Sequence, residues 1–367
     1  MSSTVEIDGS YGEGGGQILR TALCLSAVTG KSTHVYKIRA GRKNPGLAPQ
    51  HLTGVLAAGS ISSADIRGAK IGSAEVIFAP KRLAPAESTL EIDVSDVTRG
   101  GSAGSVTLIL QTILLPLALS GRPVELRMKG GTHVAWSPPF DYFSDVYLPA
   151  LSRMGLDAGC SLDAWGFYPA GGGEVTVKIR GLRTGPVATS GSASSHGTLQ
   201  PIGLVERGSL ILVSGRAVVA NLSNDIADRM ARRATEILGE KGIDSEIGAL
   251  RVRGKSTGAG IFLTARYCGA LAGVSVLGKR GLPAERVALD ACREFLSFHR
   301  AGASVDRHLA DQLILPMSLA SGRSEMSVER VTSHLLTSAH VIRQFVDAAI
   351  TIEGEEGEPG RVVVDGI

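Results

Sequence analysis

"DRHLADQLILPMSLASGRSE", Asp306 to Glu325, carries the pattern that organises the whole chain. Leu309, Leu313, Pro316, Met317 and Ala320 recur at three-and-four spacing, which is one buried stripe of a helix, and Gly322 followed by Arg323 stops it. Two other stretches follow the same plan: "GGGQILRTALCLSAVTGKS" (Gly14 to Ser32) and "GSVTLILQTILLPLALSGRP" (Gly104 to Pro123). A second helix-like segment is assigned to each, namely Gln50 to Ser60, Tyr142 to Met154 and Ala284 to Arg300. Short alternating runs such as "STHVYKIRA", "LEIDVSDV", "PVELRMKG" and "GEVTVKIR" have the period of half-buried strands. The unit is two helices with several strands, used three times.

The repeat is interrupted. Its second copy ends near Arg183 and its third begins near Gly278, leaving about a hundred residues between them. That segment opens with "TGPVATSGSASSHGT", a flexible connection or a long active-site loop, and holds the strand-like "SLILVSGRAVV", a helix from about Asn224 to Gly242 and the strand-like "AGIFLTARY". The expectation is an α/β protein with a large repeat domain, 1–183 and 278–367, and a small inserted α/β domain, 184–277.

Hydrophobic residues are 43% of 367, enough for a globular core, and 38 basic against 35 acidic residues leave a net charge of +3. Any nucleic-acid contact is therefore a local patch, and aromatic content of 4% argues against a surface that grips many nucleotides by stacking. The four cysteines, Cys24, Cys160, Cys268 and Cys292, form no C-x-x-C pair, so neither a zinc knuckle nor a disulfide framework is expected, and a reducing cytoplasm fits. "MSSTVEIDGS" lacks a leader pattern, and Val106 to Leu119 is too short to span a bilayer and carries Gln111 and Pro116. Neither export nor membrane insertion is expected.

His308 falls off the apolar stripe. With Asp306 as N-cap it stands in a first turn, where free amides and the helix dipole favour anions, and a neutral imidazole there suits attack on phosphorus; a solvated surface histidine is the competing reading. "YGEGGGQILR", Tyr11 to Arg20, is a glycine-rich turn into a helix with one carboxylate, Glu13; it reads as a phosphate or metal site or as a tight strand-to-helix turn. It is no G-x-G-x-x-G, because Gln17 stands at the last glycine, and "TGKS" lacks the earlier glycine of a P-loop. "KIRAGRKNPGLAPQH", Lys37 to His51, gathers Lys37, Arg39, Arg42 and Lys43 before Gln50 and His51, suiting a phosphorylated end or a solvated basic loop. "KGGTHVAWSPPFDYF", "WGFYPAGGGEV" and "LGKRGLPAERV" are loops, the first two rich in aromatic residues and proline.

In this order, "EGGGQILRTAL", "RAGRKNPGLAPQHL", "GGTHVAWSPPFDY", "GFYPAGGGEV" and "HLADQLILPM" closely resemble the RNA 3'-terminal phosphate cyclases over nearly the whole chain. The resemblance implies three βαβαββ-type repeats with an inserted domain. It implies an ATP-dependent enzyme that converts RNA 3'-phosphate ends to 2',3'-cyclic phosphates, with AMP linked to His308 and a divalent ion, Mg2+ or Mn2+, held at Glu13. On the same reading Gln17, Gln111, Pro283, Asp311 and Gln312 join His308 and Glu13 around the nucleotide, and Arg20, Arg39, Arg42, Gln50 and His51 take the RNA end. His133 is expected to position substrate with His51, while His34, His196, His299, His334 and His340 are expected to be ordinary. Two competitors are weighed: a non-catalytic RNA-processing scaffold, which would form no AMP adduct, and an enolpyruvyl transferase, which would ignore ATP.

Overall fold

The computed structural model describes residues 4–98, 102–183 and 197–367. The first unit runs β1 (Val5–Asp8), α1 (Gly16–Thr29), β2 (Thr33–Tyr36), α2 (Pro49–Ser62), β3 (Asp65–Arg67) and β4 (Val76–Ala79). The second runs β5 (Thr89–Asp93), α3 (Val106–Leu119), β6 (Val124–Gly130), a helical segment in three parts, β7 (Leu156–Ala164) and β8 (Gly173–Leu182). Those parts are α4 (Phe140–Tyr142), a π-helical turn (Phe143–Tyr147) and α5 (Leu148–Arg153). The third unit opens on β9 (Gly203–Leu204) and is interrupted by β10 (Leu210–Ala220), α6 (Asn224–Gly239), β11 (Ser245–Val252), β12 (Gly258–Tyr267), β13 (Leu271–Leu277) and α7 (Ala284–Ala301). It resumes as α8 (Arg307–Ser318), β14 (Arg323–Val328), α9 (Ser333–Ile342), β15 (Ala349–Glu353) and β16 (Gly360–Asp365).

Three sheets repeat one topology, in the orders β1-β2-β4-β3, β5-β6-β8-β7 and β9-β14-β16-β15. In each, the first two strands pair in parallel, which needs the crossover helix between them, and the other pairings are antiparallel. The apolar stripes then meet at the centre. α3, apolar nearly all round, packs on α1 and α2, while α9 packs on α1 and α8, and the three units share one hydrophobic core. Among the described residues no helix is long and apolar enough to cross a membrane.

A second core belongs to the insertion, whose sheet has the order β11-β10-β12-β13. It includes Val287, Ala288, Ala291, Cys292, Phe295 and Phe298 of α7, so this helix packs on α6 and not as the second helix of the third unit. That role is taken by α9. The expected boundary at residue 277 thus leaves α7 on the wrong side of the second core, and β9 lies within the expected insertion although it pairs with β14. An apolar stripe specifies a buried face without saying which core receives it, and a two-residue strand has no period to detect. The "TGPVATSGSASSHGT" segment lies almost wholly outside the described residues.

One buried carboxylate ties the two cores together. Asp306, N-cap of α8, accepts from the amides of His308 and Leu309, both at 3.0 Å, and from the Tyr142 hydroxyl at 2.7 Å. It also accepts from the Gly273 amide of β13 at 3.2 Å. Asp306→Ala leaves these donors without a buried acceptor, so a loss of about 3 kcal/mol in folding stability is expected, measured as a lowered urea midpoint. Asp306→Asn, which keeps one acceptor oxygen, should lose less.

Candidate active site

Three helix N-termini of the repeat units meet at the surface beside this joint. The glycine turn before α1 reverses the chain with Gly12 and Gly14 both at φ 57, and Gly15 caps α1 without a side chain, leaving first-turn amides open. Glu13 projects from this turn, its carboxylate 3.2 Å from His334 Nε2 and 3.6 Å from an Arg42 guanidinium nitrogen. Gln17, in the first turn of α1, donates to the carbonyl of His334 at 2.7 Å and to the Ser338 hydroxyl, and its Oε1 meets His334 Nδ1. The first turns of α1 and α9 are therefore interlocked through His334. Burial holds the His334 imidazole below its ordinary pKa, with Arg20, Arg42 and His308 pushing the same way and Glu13 opposing them.

The first turn of α8 supplies the third side. His308 is 55% exposed, its ring edge-on to Tyr142 at 6.4 Å between centroids, and its Nε2 is 3.9 Å from Glu294 of α7. Arg307 occupies Glu294 at 2.8 Å and receives support from Glu329. Gln312 donates to the His308 carbonyl at 2.8 Å, and Gln111 of α3 donates to Gln312 at 2.9 Å. Asp311 accepts from the Thr332 hydroxyl, the cap of α9. Its carboxyl is pushed up to about 8, mainly by burial and further by the charges of Asp306 and Glu13. Among the described residues no hydrogen bond draws Pro283 into this group: it caps α7 eleven residues before Glu294, roughly 16 Å along the axis.

The basic loop divides. Arg42 pairs with Glu13, whereas Arg39 donates to the Gly46 carbonyl at 2.8 Å. Arg20, Gln50 and His51 line a cavity of about 10 Å³ with Leu19, Leu23, Gly54, Leu108 and Thr112, room for about one water. His51 is lowered to about 3 by burial, then by Arg20 and Arg39, so it is neutral across the physiological range. Its Nδ1 accepts from the Ala48 amide at 3.3 Å, which assigns the proton to Nε2, the atom packed so closely on Gly16 that a side chain there would collide with it. Gln50 turns its oxygen to the Ser105 amide at 3.1 Å.

His133 is elsewhere. It is fully buried, bonded to Asp141 at 2.6 Å and stacked on Trp165 at 4.3 Å, and Arg216 of β10 meets Asp141 at 2.7 Å. It is thus part of the contact between the insertion and the core. Of the aromatic loops, the structure buries Phe140, Tyr142, Phe143 and Phe167 and leaves Trp136 and Tyr168 exposed. His334 is the site residue that sequence reasoning passed over. A signal existed: it begins the second helix of unit three as His51 begins that of unit one.

Across residues 11–352 the chain matches the family model described as RNA 3'-terminal phosphate cyclase. It is 48% identical over 352 residues to the RNA 3'-terminal phosphate cyclase of Gloeothece citriformis, covering 96% of each chain. It is 40% identical to that of Archaeoglobus fulgidus, covering 96% of this chain and 98% of the relative. Among solved structures, the enolpyruvyl transferase NikO from Streptomyces tendae aligns over 100% of this chain and 82% of its own at 13% identity, with a TM-score of 0.23, too low to carry an argument. The match of sequence over nearly full length, on a chain built of three repeated units, assigns it: this chain belongs to the RNA 3'-terminal phosphate cyclase family.

Proposed function

We propose that the chain uses ATP to convert an RNA 3'-phosphate end into a 2',3'-cyclic phosphate, with AMP carried on His308. The observation that supports this most is the exposed imidazole in the first turn of α8, close to the start of α1, whose uncapped first-turn amides suit phosphate oxygens. Family membership makes RNA and ATP the substrates to test.

In the first step a ring nitrogen of His308 attacks the α-phosphorus of ATP, and the bond to the β-phosphate oxygen breaks to release pyrophosphate. Asp306 holds the first turn from below, and Gln312 and Gln111 hold it from the side. An RNA 3'-phosphate oxygen then displaces the histidine and takes AMP as a phosphoanhydride. In the last step the vicinal 2'-hydroxyl attacks the 3'-phosphorus, loses its proton and expels AMP; its proximity supplies much of the rate. Arg20, Arg39 and the neutral His51 Nε2–H suit the RNA phosphate, and Arg42, paired with Glu13, suits the nucleotide side.

A divalent ion fits Glu13 in one way. Among the described residues no three His, Cys, Asp or Glu gather as a metal cage, so Glu13 would hold the ion with few other protein ligands, phosphate and water completing the shell, as suits Mg2+. Such an ion would neutralise phosphate charge. The four cysteines are free, in keeping with a reducing cytoplasm as the place of reaction.

With α-labelled ATP the wild-type chain should take up an acid-labile label and His308→Ala none; a variant that labels normally overturns the assignment. An RNA end with a 3'-phosphate and a 2'-deoxy sugar should accept AMP and stop at the adenylylated end on a gel. Return of the simple phosphate as the main fate would make water the acceptor and the enzyme hydrolytic. Asp311 offers a pH test. Its folded value of about 8 lies above the ordinary value near 4, so the stability it contributes is full at low pH and is lost as pH rises toward 8. The Tm advantage of Asp311→Asn over wild type should therefore grow between pH 5 and pH 8, reaching a few degrees.

A further inference from the structure

From the end of the insertion's edge strand a row of unpaired cations leads away from the residues proposed to take the RNA end. Arg251 at the end of β11, and Arg253 and Lys255 in the connection that follows it, are exposed and alternate with half-buried Val252 and Gly254, so cations recur at every second residue. None of the three makes an ion pair or side-chain hydrogen bond among the described residues. β11 is the outermost strand of its sheet, so nothing in that sheet covers this side.

The row is joined to Arg20, Gln50 and His51 by a chain of contacts between adjacent segments. Gln50 receives the Ser105 amide, and a side chain at Gly104 would meet Gln50 Cβ at 3.1 Å. Ser102 bridges to Gly171, and the adjoining Gly172, at φ 70, lies against the Lys255 side chain so closely that a Cβ would strike it. Gly254 bridges to Trp165, and the Ala170 amide donates to Ser256. Tyr168, 75% exposed, stands on this same turn. The path therefore runs from Arg20, Gln50 and His51 over the bare glycine turn to an exposed ring and three cations.

We propose that Arg251, Arg253 and Lys255, with Tyr168, carry the backbone and one base of the single-stranded RNA upstream of its 3' end. This rests on the cyclase reading. Exposed cations at successive alternate residues follow a phosphate backbone without reading sequence, and a single exposed phenol stacks any base. A chain of net charge +3 would then place its affinity for longer RNA in one stripe contributed by the inserted domain.

The test compares a dinucleotide with a twelve-nucleotide single-stranded RNA, both ending in 3'-phosphate, on the full chain and on Arg251→Ala/Arg253→Ala/Lys255→Ala. For the long RNA the variant should lose roughly 2 in the slope of log affinity against log salt, about 0.7 per phosphate, and bind roughly a hundredfold more weakly at 0.1 M salt. For the dinucleotide, KM should stay within about twofold. Arg251→Lys/Arg253→Lys should restore long-RNA binding, and Tyr168→Ala should weaken it about tenfold without changing the salt slope. Equal losses on both RNAs, or no loss on the long one while wild type cyclises both, overturn the stripe alone. A wild-type chain that labels with AMP but cyclises neither RNA overturns the cyclase reading and the stripe with it.

Discussion

Everything near His308 depends on one carboxylate having enough donors. Asp306 is buried, and a buried carboxylate is tolerated only where hydrogen bonds replace its water. It has four donors, two from its own helix, one from the second repeat and one from the insertion. The cap that starts α8 is thus also one of the contacts that hold the insertion in place. The position of the imidazole, one residue into that helix, is set by groups from three parts of the chain.

Around this point the repeat acquires chemical meaning. Each unit starts its first helix from a tight entry, but the entries differ: Gly15 before α1, Ser105 before α3, Asp306 before α8. The first has no capping side chain and keeps its amides open; the other two are closed by their own side chains. α9 adds a fourth entry, where Thr332 reaches Asp311 and His334 reaches Glu13 and Gln17. Units one and three therefore face each other across the site. Unit two supports them through Gln111 and Tyr142.

Much of this was legible in the residues. The stripe Leu309, Leu313 and Met317 marked α8, and Asp306 two residues before the off-stripe histidine marked its cap. The glycine turn with Glu13 and the basic loop marked two further sides. What could not be read was assignment between cores: α7 shows an ordinary apolar stripe, and only its packing on α6 places it in the insertion. His133 in "GGTHVAW" is expected beside substrate from its motif alone, and the sequence does not show that Asp141, Trp165 and Phe262 enclose it. His334 looked ordinary because its partners, Glu13 and Gln17, lie more than three hundred residues away. Long-range pairing of polar groups leaves no period in a sequence.

The two-residue strand β9 has a consequence for how the chain reaches this state. Leu204 pairs with Met326 and Val305 bridges to Val328, so the chain leaves the third unit and returns to it two residues apart on the same strand. Until both contacts form, β14 must capture two ends separated by about a hundred residues. An unstructured loop of that length costs about 2.5 kcal/mol more to close than one of six residues. An insertion already folded on its own core presents its ends close together and removes most of that cost. The order of assembly favoured by this geometry is therefore inside out: the guest domain collapses first, and the host closes its last sheet around the gap.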